Sequence, residues 1–344
     1  MVPFRDEPTG GGPLRRYFLR KLFVYALTFV VAVTIDWAIP HLMPGNPVLT
    51  LMGRLQIQDP KVAANVYHHY MRAFNLNLPL WKQYYYFWVS LLHANLGTSI
   101  LQFPTSVVSI ILHAIPYTLG LLIPAILLSW YAGNKVGAMA ARRKVLDNTA
   151  LPLGYALTAT PYMWVGIMLS WLLAVTWQIF PVGFAYDPTS QRTWSVGFIL
   201  VLLHHWFLPF FSLFLVAFGG WAIGMRNMII YELESDYAHY LEALGAPQRL
   251  VRRYAFRNAM LPQITGLALQ LGAVIAGALV TEIVFSYPGL GYQIYRAITN
   301  EDYFVIQGIF LFIIVGVLIA NFLVDLVYVL VDPRTRIGMQ GGQA

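Results

Sequence analysis

Apolar residues in this chain come in long unbroken runs rather than in alternation with polar ones. Six stretches, approximately 19–39, 107–132, 149–178, 197–221, 263–285 and 304–331, are each long and apolar enough to be a membrane span. A helix needs about 20 such residues to cross a hydrocarbon core of about 30 Å. Lipid offers no partner for backbone N–H and C=O groups, and barrel strands alternate in polarity, so runs this continuous predict helices. The predicted fold class is an all-α polytopic membrane protein with six transmembrane helices.

Polar segments between the runs orient them. Segments on the side of the N-terminus carry 16 lysines and arginines, and those on the opposite side carry 6. This excess places the N- and C-termini both inside. The expected divisions are a cytoplasmic tail (1–18), a first span (19–39), a long outer loop (40–106), a core of five spans (107–331) and a cytoplasmic tail (332–344). The inner loop 222–262 lies within the core, and residues 1–13 and 338–344 read as disordered. The first apolar run is too long for a signal-peptide core, so no cleavable signal is expected.

Composition strengthens this picture. Hydrophobic residues make up 58% of the 344 and charged residues 11%, against about 25% charged in soluble domains. The net charge of +7 is explained by the inner loops, so no nucleic-acid partner is expected. Cysteine is absent, which excludes disulfides and thiolate metal sites.

The inner loop is the most informative stretch. Residues 236–244 predict a short amphipathic helix with Tyr237, Tyr240, Leu241 and Leu244 on one face. Ser235 or Asp236 suits its start. Gly245 suits the left-handed residue just past its end, and Pro247 blocks continuation. A second, basic helix with Arg249, Arg252, Arg253 and Arg257 is predicted to end before Pro262. By pattern alone the amphipathic helix fits either a membrane surface or a groove on a cytosolic partner.

Asp236-Tyr237-Ala238-His239-Tyr240-Leu241-Glu242-Ala243-Leu244-Gly245, followed by Arg257-Asn258-Ala259-Met260-Leu261-Pro262, resembles the coupling segment of ABC importer permeases of the dipeptide/oligopeptide type. Leu76-Asn77-Leu78-Pro79-Leu80-Trp81 and Leu96-Gly97-Thr98-Ser99 are similar to that family's outer loop. Phe285-Ser286-Tyr287-Pro288-Gly289-Leu290-Gly291 resembles the turn after its fifth span, and 321–334 resembles its last span. Met43-Pro44-Gly45-Asn46-Pro47 departs from it, with Asn46 where the family usually has Asp.

The resemblance implies a heterodimer with a second homologous permease and a translocation path between the two. It also implies two cytosolic ATPase subunits, which hold ATP and Mg, and an extracytoplasmic substrate-binding protein. Asp236, Tyr237, Tyr240, Leu241, Leu244 and Gly245 would form the coupling helix between spans four and five. The cargo would be a peptide or an oligosaccharide, and the outer loop would be a docking surface for the binding protein. The chain itself would be no enzyme and hold no cofactor. In keeping with this it has no G-x-x-x-x-G-K-[ST] phosphate loop; Gly133 and Gly137, the nearest glycine pair, read as part of a basic loop.

Two other classes compete. An ion- or proton-coupled secondary transporter calls for inverted repeats and for broken helices with polar residues at the midplane. A membrane enzyme calls for clustered nucleophile–base or metal-binding residues. Neither is evident, and spans two to four lack Asp, Glu, Lys and Arg in their middles. Asp36, Glu282, Asp325, His113 and His205 fall near span ends, where pairing or hydrogen bonding at the interface is expected. The His68-His69 and His204-His205 pairs lack ligand spacing, so no metal site is expected. Most aromatics are expected at interfaces and in packing; Tyr117, Trp164, Trp171 and Gln270 are candidates for the substrate path.

Overall fold

The structure is a computed structural model that describes residues 12–187, 195–272 and 279–331. Among these residues the regular elements are helices, with one isolated bridge between Thr98 and Ser106. Four helices are long and apolar enough to span: α1 (Gly12–Leu42), α5 (Val107–Ala140), α8 (Val196–Leu233) and α13 (Tyr303–Val331). Between α1 and α5 lie α2 (Pro47–Leu55), α3 (Pro60–Ala73) and α4 (Leu80–Leu92). After α5 come α6 (Lys144–Ala159) and α7 (Tyr162–Leu169), the latter continuing as a π-helical turn at Ser170–Thr176. The remaining elements are α9 (Asp236–Ala243), α10 (Gln248–Gly272), α11 (Leu279–Val284) and α12 (Leu290–Thr299).

The third predicted span is not one straight helix. Pro161 disfavours helical geometry at the residue before it, and Thr160 adopts φ −89° and ψ 129°. The axes of α6 and of the 162–176 segment differ by 106° as a result. The chain thus has four spans or, counting this bent pair, five among the described residues. The fifth predicted span falls on the end of α10, on α11 and on residues 273–278, which lie outside the described residues. Asp325 and the two tails also lie beyond the described side chains.

The basic helix runs straight through Pro262 into the apolar segment rather than ending before it. Proline removes one N–H bond without stopping a helix that neighbours hold in place. Trp130 of α5 helps hold it by donating its indole N–H to the Gln263 carbonyl, 3.1 Å away. At Pro124 the carbonyl that a proline leaves free is itself satisfied. The missing N–H leaves the Gly120 carbonyl free, and the Trp206 indole donates to it at 2.9 Å.

Gly133 and Gly137 lie inside α5, not in a loop. A Cβ on Gly137 would sit 2.2 Å from the Ala222 carbonyl oxygen, and one on Gly133 would sit 2.8 Å from that of Phe218. Their spacing of four residues puts both on one face, where α5 and α8 meet backbone to backbone. Without a hydrophobic driving force between helices in lipid, such small-residue contact is a main source of association. Gly154 and Gly219 bring α6 against α8 in the same way.

The outer segment is fastened to the bundle at Asp302, just ahead of α13. Its carboxylate accepts from Ser99 Oγ at 2.5 Å and from the N–H groups of Ile100 (3.1 Å) and Leu101 (3.0 Å). Thr50 Oγ1 donates to Glu301, and Arg54 donates to Asn300. Val48, Phe74 and Ile100 form a small apolar core beneath, against Phe304. The segment 40–106 is therefore packed against the bundle.

Glu282 of α11 is fully buried. It accepts from Thr118 Oγ1 at 2.7 Å and from the Gly291 N–H at 2.6 Å, while Thr118 also accepts from the Leu290 N–H at 2.8 Å. The carboxylate thus joins α5 to α11 and to the start of α12, a helix with no counterpart among the predicted elements. This is structural hydrogen bonding, as expected for Glu282. Asp36 differs: it is 2% exposed and neither carboxylate oxygen has a hydrogen-bond partner.

Two outcomes follow from this packing. Gly137→Val forces α5 and α8 apart, an overpacking cost of about 1–3 kcal/mol, and lowers the unfolding temperature in detergent by several degrees. Gly120→Val, where a Cβ has open space, leaves it near wild type. Asp302→Ala removes charge-assisted bonds worth about 1.5–3 kcal/mol each and speeds proteolysis within 40–106. Unchanged cleavage would show that the segment is held by other contacts.

Candidate functional site

Two features stand out, a short helix that projects beyond the bundle and a cavity beside the broken span. The first depends on the length of α8. Its 38 residues span about 57 Å at 1.5 Å per residue, well beyond a hydrocarbon core of about 30 Å. A ladder of aromatic rings stiffens it: Trp206 stacks on Phe210, Phe207 on Phe211 and Phe214 on Phe218. Where α8 runs on past its apolar part, Arg226 donates two 2.9 Å bonds to Asp147 and ties α6 to α8.

α9 is mounted at this end, between α8 and the start of α10. Ser235 Oγ donates to the Glu232 carbonyl and so shapes the turn into it. The Glu232 carboxylate, on the last turn of α8, accepts from Tyr237 Oη at 2.8 Å and from Asn258 Nδ2 at 3.1 Å. One carboxylate therefore pins α8, α9 and α10 together. Burial and the adjacent Glu232 raise the pKa of the Tyr237 hydroxyl, so it stays a proton donor. Ala238 is fully buried against the mount.

The C-terminus of α9 forms a double-bonded cap. The Gly245 N–H donates to the Glu242 carbonyl at 2.9 Å, and the Ala246 N–H to that of Leu241 at 3.0 Å. Gly245 takes φ +73°, a left-handed conformation that costs an L-residue roughly 1–2 kcal/mol.

The four apolar positions predicted on one face divide in two. Tyr237 and Leu241 are half-buried and face the mount, whereas Tyr240 and Leu244 are each 65% exposed. Periodicity placed them on neighbouring angles but carried no information about which side α8 and α10 would cover. Asp236 is exposed at the N-terminus of the helix, where a carboxylate suits the dipole. Of the anchoring pair, Glu232 was missed by sequence reasoning, and Asn258 stood in the resembling segment without a role, since neither spacing has a periodic signature.

The second feature is a cavity of about 530 Å³ at the Thr160–Pro161 break. Thr158, Thr160, Tyr162, Trp221 and Gln270 line it, and none of the lining residues is charged. Gln270 Oε1 is buried there without a hydrogen-bond partner. Of the four residues suggested for the substrate path, Gln270 alone lines this cavity. Tyr117 packs against Tyr287 in the main apolar core. Trp164 and Trp171 are exposed on the surface of the bundle. The break was foreshadowed by the Thr-Pro dipeptide, which identifies Thr160 as a residue biased away from helix.

No group of three or more histidine or acidic side chains that would suit a metal occurs among the described residues.

Known proteins are similar to this chain in sequence. The profile described as binding-protein-dependent transport system inner membrane component matches residues 133–337, from the last turns of α5 to beyond α13. The dipeptide transport system permease protein DppB of Escherichia coli K12 is 30% identical, over 93% of this chain and 98% of the relative. The di/tripeptide transport system permease protein DppB of Pseudomonas aeruginosa UCBPP-PA14 is 31% identical over the same shares. The oligopeptide transport system permease protein AppB of Bacillus subtilis 168 is 28% identical over 92% of this chain. Four or five spans, a projecting helix between two long ones and these matches lead to one conclusion: the chain belongs to the binding-protein-dependent transport system inner-membrane components, as a multi-pass permease of the cell membrane.

Proposed function

We propose that this chain forms half of the translocation path of an ATP-driven peptide importer, and that α9 is its coupling helix. A second homologous permease completes the path. Two cytosolic ATPase subunits bind ATP and Mg and drive it, and a substrate-binding protein delivers cargo to the outer face. The observation that carries this reading is the mounting of α9. It exposes Tyr240 and Leu244 while its other side is fixed to α8 and α10 through Glu232. An exposed apolar pair on a rigidly held helix suits a groove on a partner. Nucleotide binding shifts a permease only through contacts that differ between its two states. A helix continuous with two membrane segments is placed to pass that difference on. The permeases similar to this chain are named for dipeptide, di/tripeptide and oligopeptide transport, which favours a peptide over an oligosaccharide.

The cavity at the break is the proposed contact for cargo in transit. A peptide backbone brings N–H donors to Gln270 Oε1 and to the hydroxyl oxygens of Thr158 and Thr160, whose protons go to the Gly154 and Ala156 carbonyls, and a carbonyl to the Tyr162 hydroxyl. The absence of charge there suits cargo whose termini are passed along rather than held.

Three outcomes are expected in a reconstituted complex. Leu241→Asp or Gly245→Asp lowers ATP-driven dipeptide uptake by about tenfold, within the usual range of coupling strengths. Either the ATPase subunits dissociate or their hydrolysis continues without transport. Wild-type uptake with full subunit retention would refute the lever. Glu232→Ala loosens α9 and reduces uptake, whereas Glu232→Gln, which keeps one acceptor, retains more of it; equal loss in both would count against the anchoring role. Gln270→Ala reduces uptake with ATPase subunits retained, and an unaltered rate would remove the cavity from the path.

A further inference from the structure

On the basic end of the molecule, beside α9, four arginines surround one open cavity of about 670 Å³. Arg249, Arg252 and Arg253 come from the first turns of α10, and Arg142 from the chain just past α5. The spacing of 249, 252 and 253 places them on one side of α10. All four are exposed, and among the described residues none pairs with a carboxylate. The neighbouring Glu242 of α9 accepts from Gln248 instead and does not line the cavity. Four like charges gathered without a counter-charge repel one another, and the positive end of the α10 dipole adds to their field. The arrangement is complete only when an anion occupies it.

A second cavity identifies what carries that anion. A groove of about 320 Å³ runs between α5 and α10 and shares Arg142 and Phe256 with the arginine cup. Trp130, Tyr131, Met139 and Met260 line its length. Lys135, also on the groove, lies with its ammonium 5.8 Å from the Tyr131 ring centre, as a cation at an interface does when its stem follows apolar surface. The groove thus leads from a cationic cup back along α5 into the apolar part of the bundle. A free phosphate fills the cup and leaves the groove empty, and an acidic protein surface has no use for an apolar cleft lined by Trp130, Met139 and Met260. A molecule with an anionic head and a hydrocarbon tail fills both, and basic pockets between membrane helices are suited to such headgroups.

We propose that this composite site binds an anionic phospholipid, with its phosphate among Arg142, Arg249, Arg252 and Arg253 and an acyl chain along the α5–α10 groove. The bound lipid neutralises the arginines next to α9 and fills the space beside its support. Lipid composition thereby becomes a determinant of how firmly the projecting helix is held. The binding site stands independently of the transport reading.

The test is native mass spectrometry of the full-length chain released from nanodiscs of equal parts phosphatidylglycerol and phosphatidylcholine. The wild type retains phosphatidylglycerol preferentially. Arg252→Ala/Arg253→Ala lowers that preference by about thirtyfold, at about one kilocalorie per mole per arginine near the surface. Met139→Trp, which fills the groove and leaves the cup intact, lowers retention as well. Equal retention of the two lipids by the wild type would overturn the proposal. So would displacement of the bound lipid by inorganic phosphate, which would mark the cup as a simple anion site. Retention unchanged in Met139→Trp would remove the acyl groove. A groove that cross-links to a second protein chain in the assembled complex, with no lipid retained, would assign it to that chain instead.

Discussion

The close approach of α5 and α8 at Gly133 and Gly137 is the contact on which the rest of the molecule depends. At these positions a side chain has nowhere to go, since a Cβ would meet backbone of Phe218 or Ala222. Lipid gives helices no hydrophobic reason to associate, so the stability of the bundle rests on such backbone proximity and on hydrogen bonds between helices. With α8 fixed against α5, and α6 against α8 at Gly154 and Gly219, the far end of α8 becomes a firm platform. Glu232 stands on that platform and holds α9 and α10. The same α5 also supplies Thr118 to Glu282 and the indole of Trp130 to α10. One helix pair thus sets the position of the projecting helix, the turn after α11 and the wall of the groove.

Much of this was legible in the sequence, where a single physical rule governs. Continuous apolar runs located α1, α5, α8 and α13. The period of the 236–244 segment, its left-handed glycine and the following proline located α9 almost to the residue. Other features depend on tertiary partners and had no local signature. Pro262 reads as a stop, yet α10 continues through it, where Trp130 bonds the next residue's carbonyl. Gly133 and Gly137 lie among basic residues and read as loop, yet they are the seam of two long helices. Thr160–Pro161 lies inside an apolar run whose length promised a single span, and the local bias of the pre-proline residue prevailed.

The candidate site was partly legible for the same reason. Amphipathic spacing gathered Tyr237, Tyr240, Leu241 and Leu244, but only the positions of α8 and α10 decide that Tyr237 and Leu241 face inward and Tyr240 and Leu244 outward. Gln270 was one of four candidates for the substrate path, and it lines the cavity at the break. Its companions Thr158, Thr160 and Tyr162 come together only because the span bends. The four arginines were recorded merely as orienting charge, whereas the fold gathers them around one cavity.

The central claim is that α9 transmits the state of a cytosolic motor to the membrane helices. The chain contains no cysteine, so Tyr240→Cys provides a unique attachment point for a photo-cross-linker in the assembled importer. The account predicts that this label captures an ATPase subunit, in a yield that changes when nucleotide is bound, and that the cross-linked complex no longer transports. Capture of lipid alone, with transport undisturbed, would contradict it.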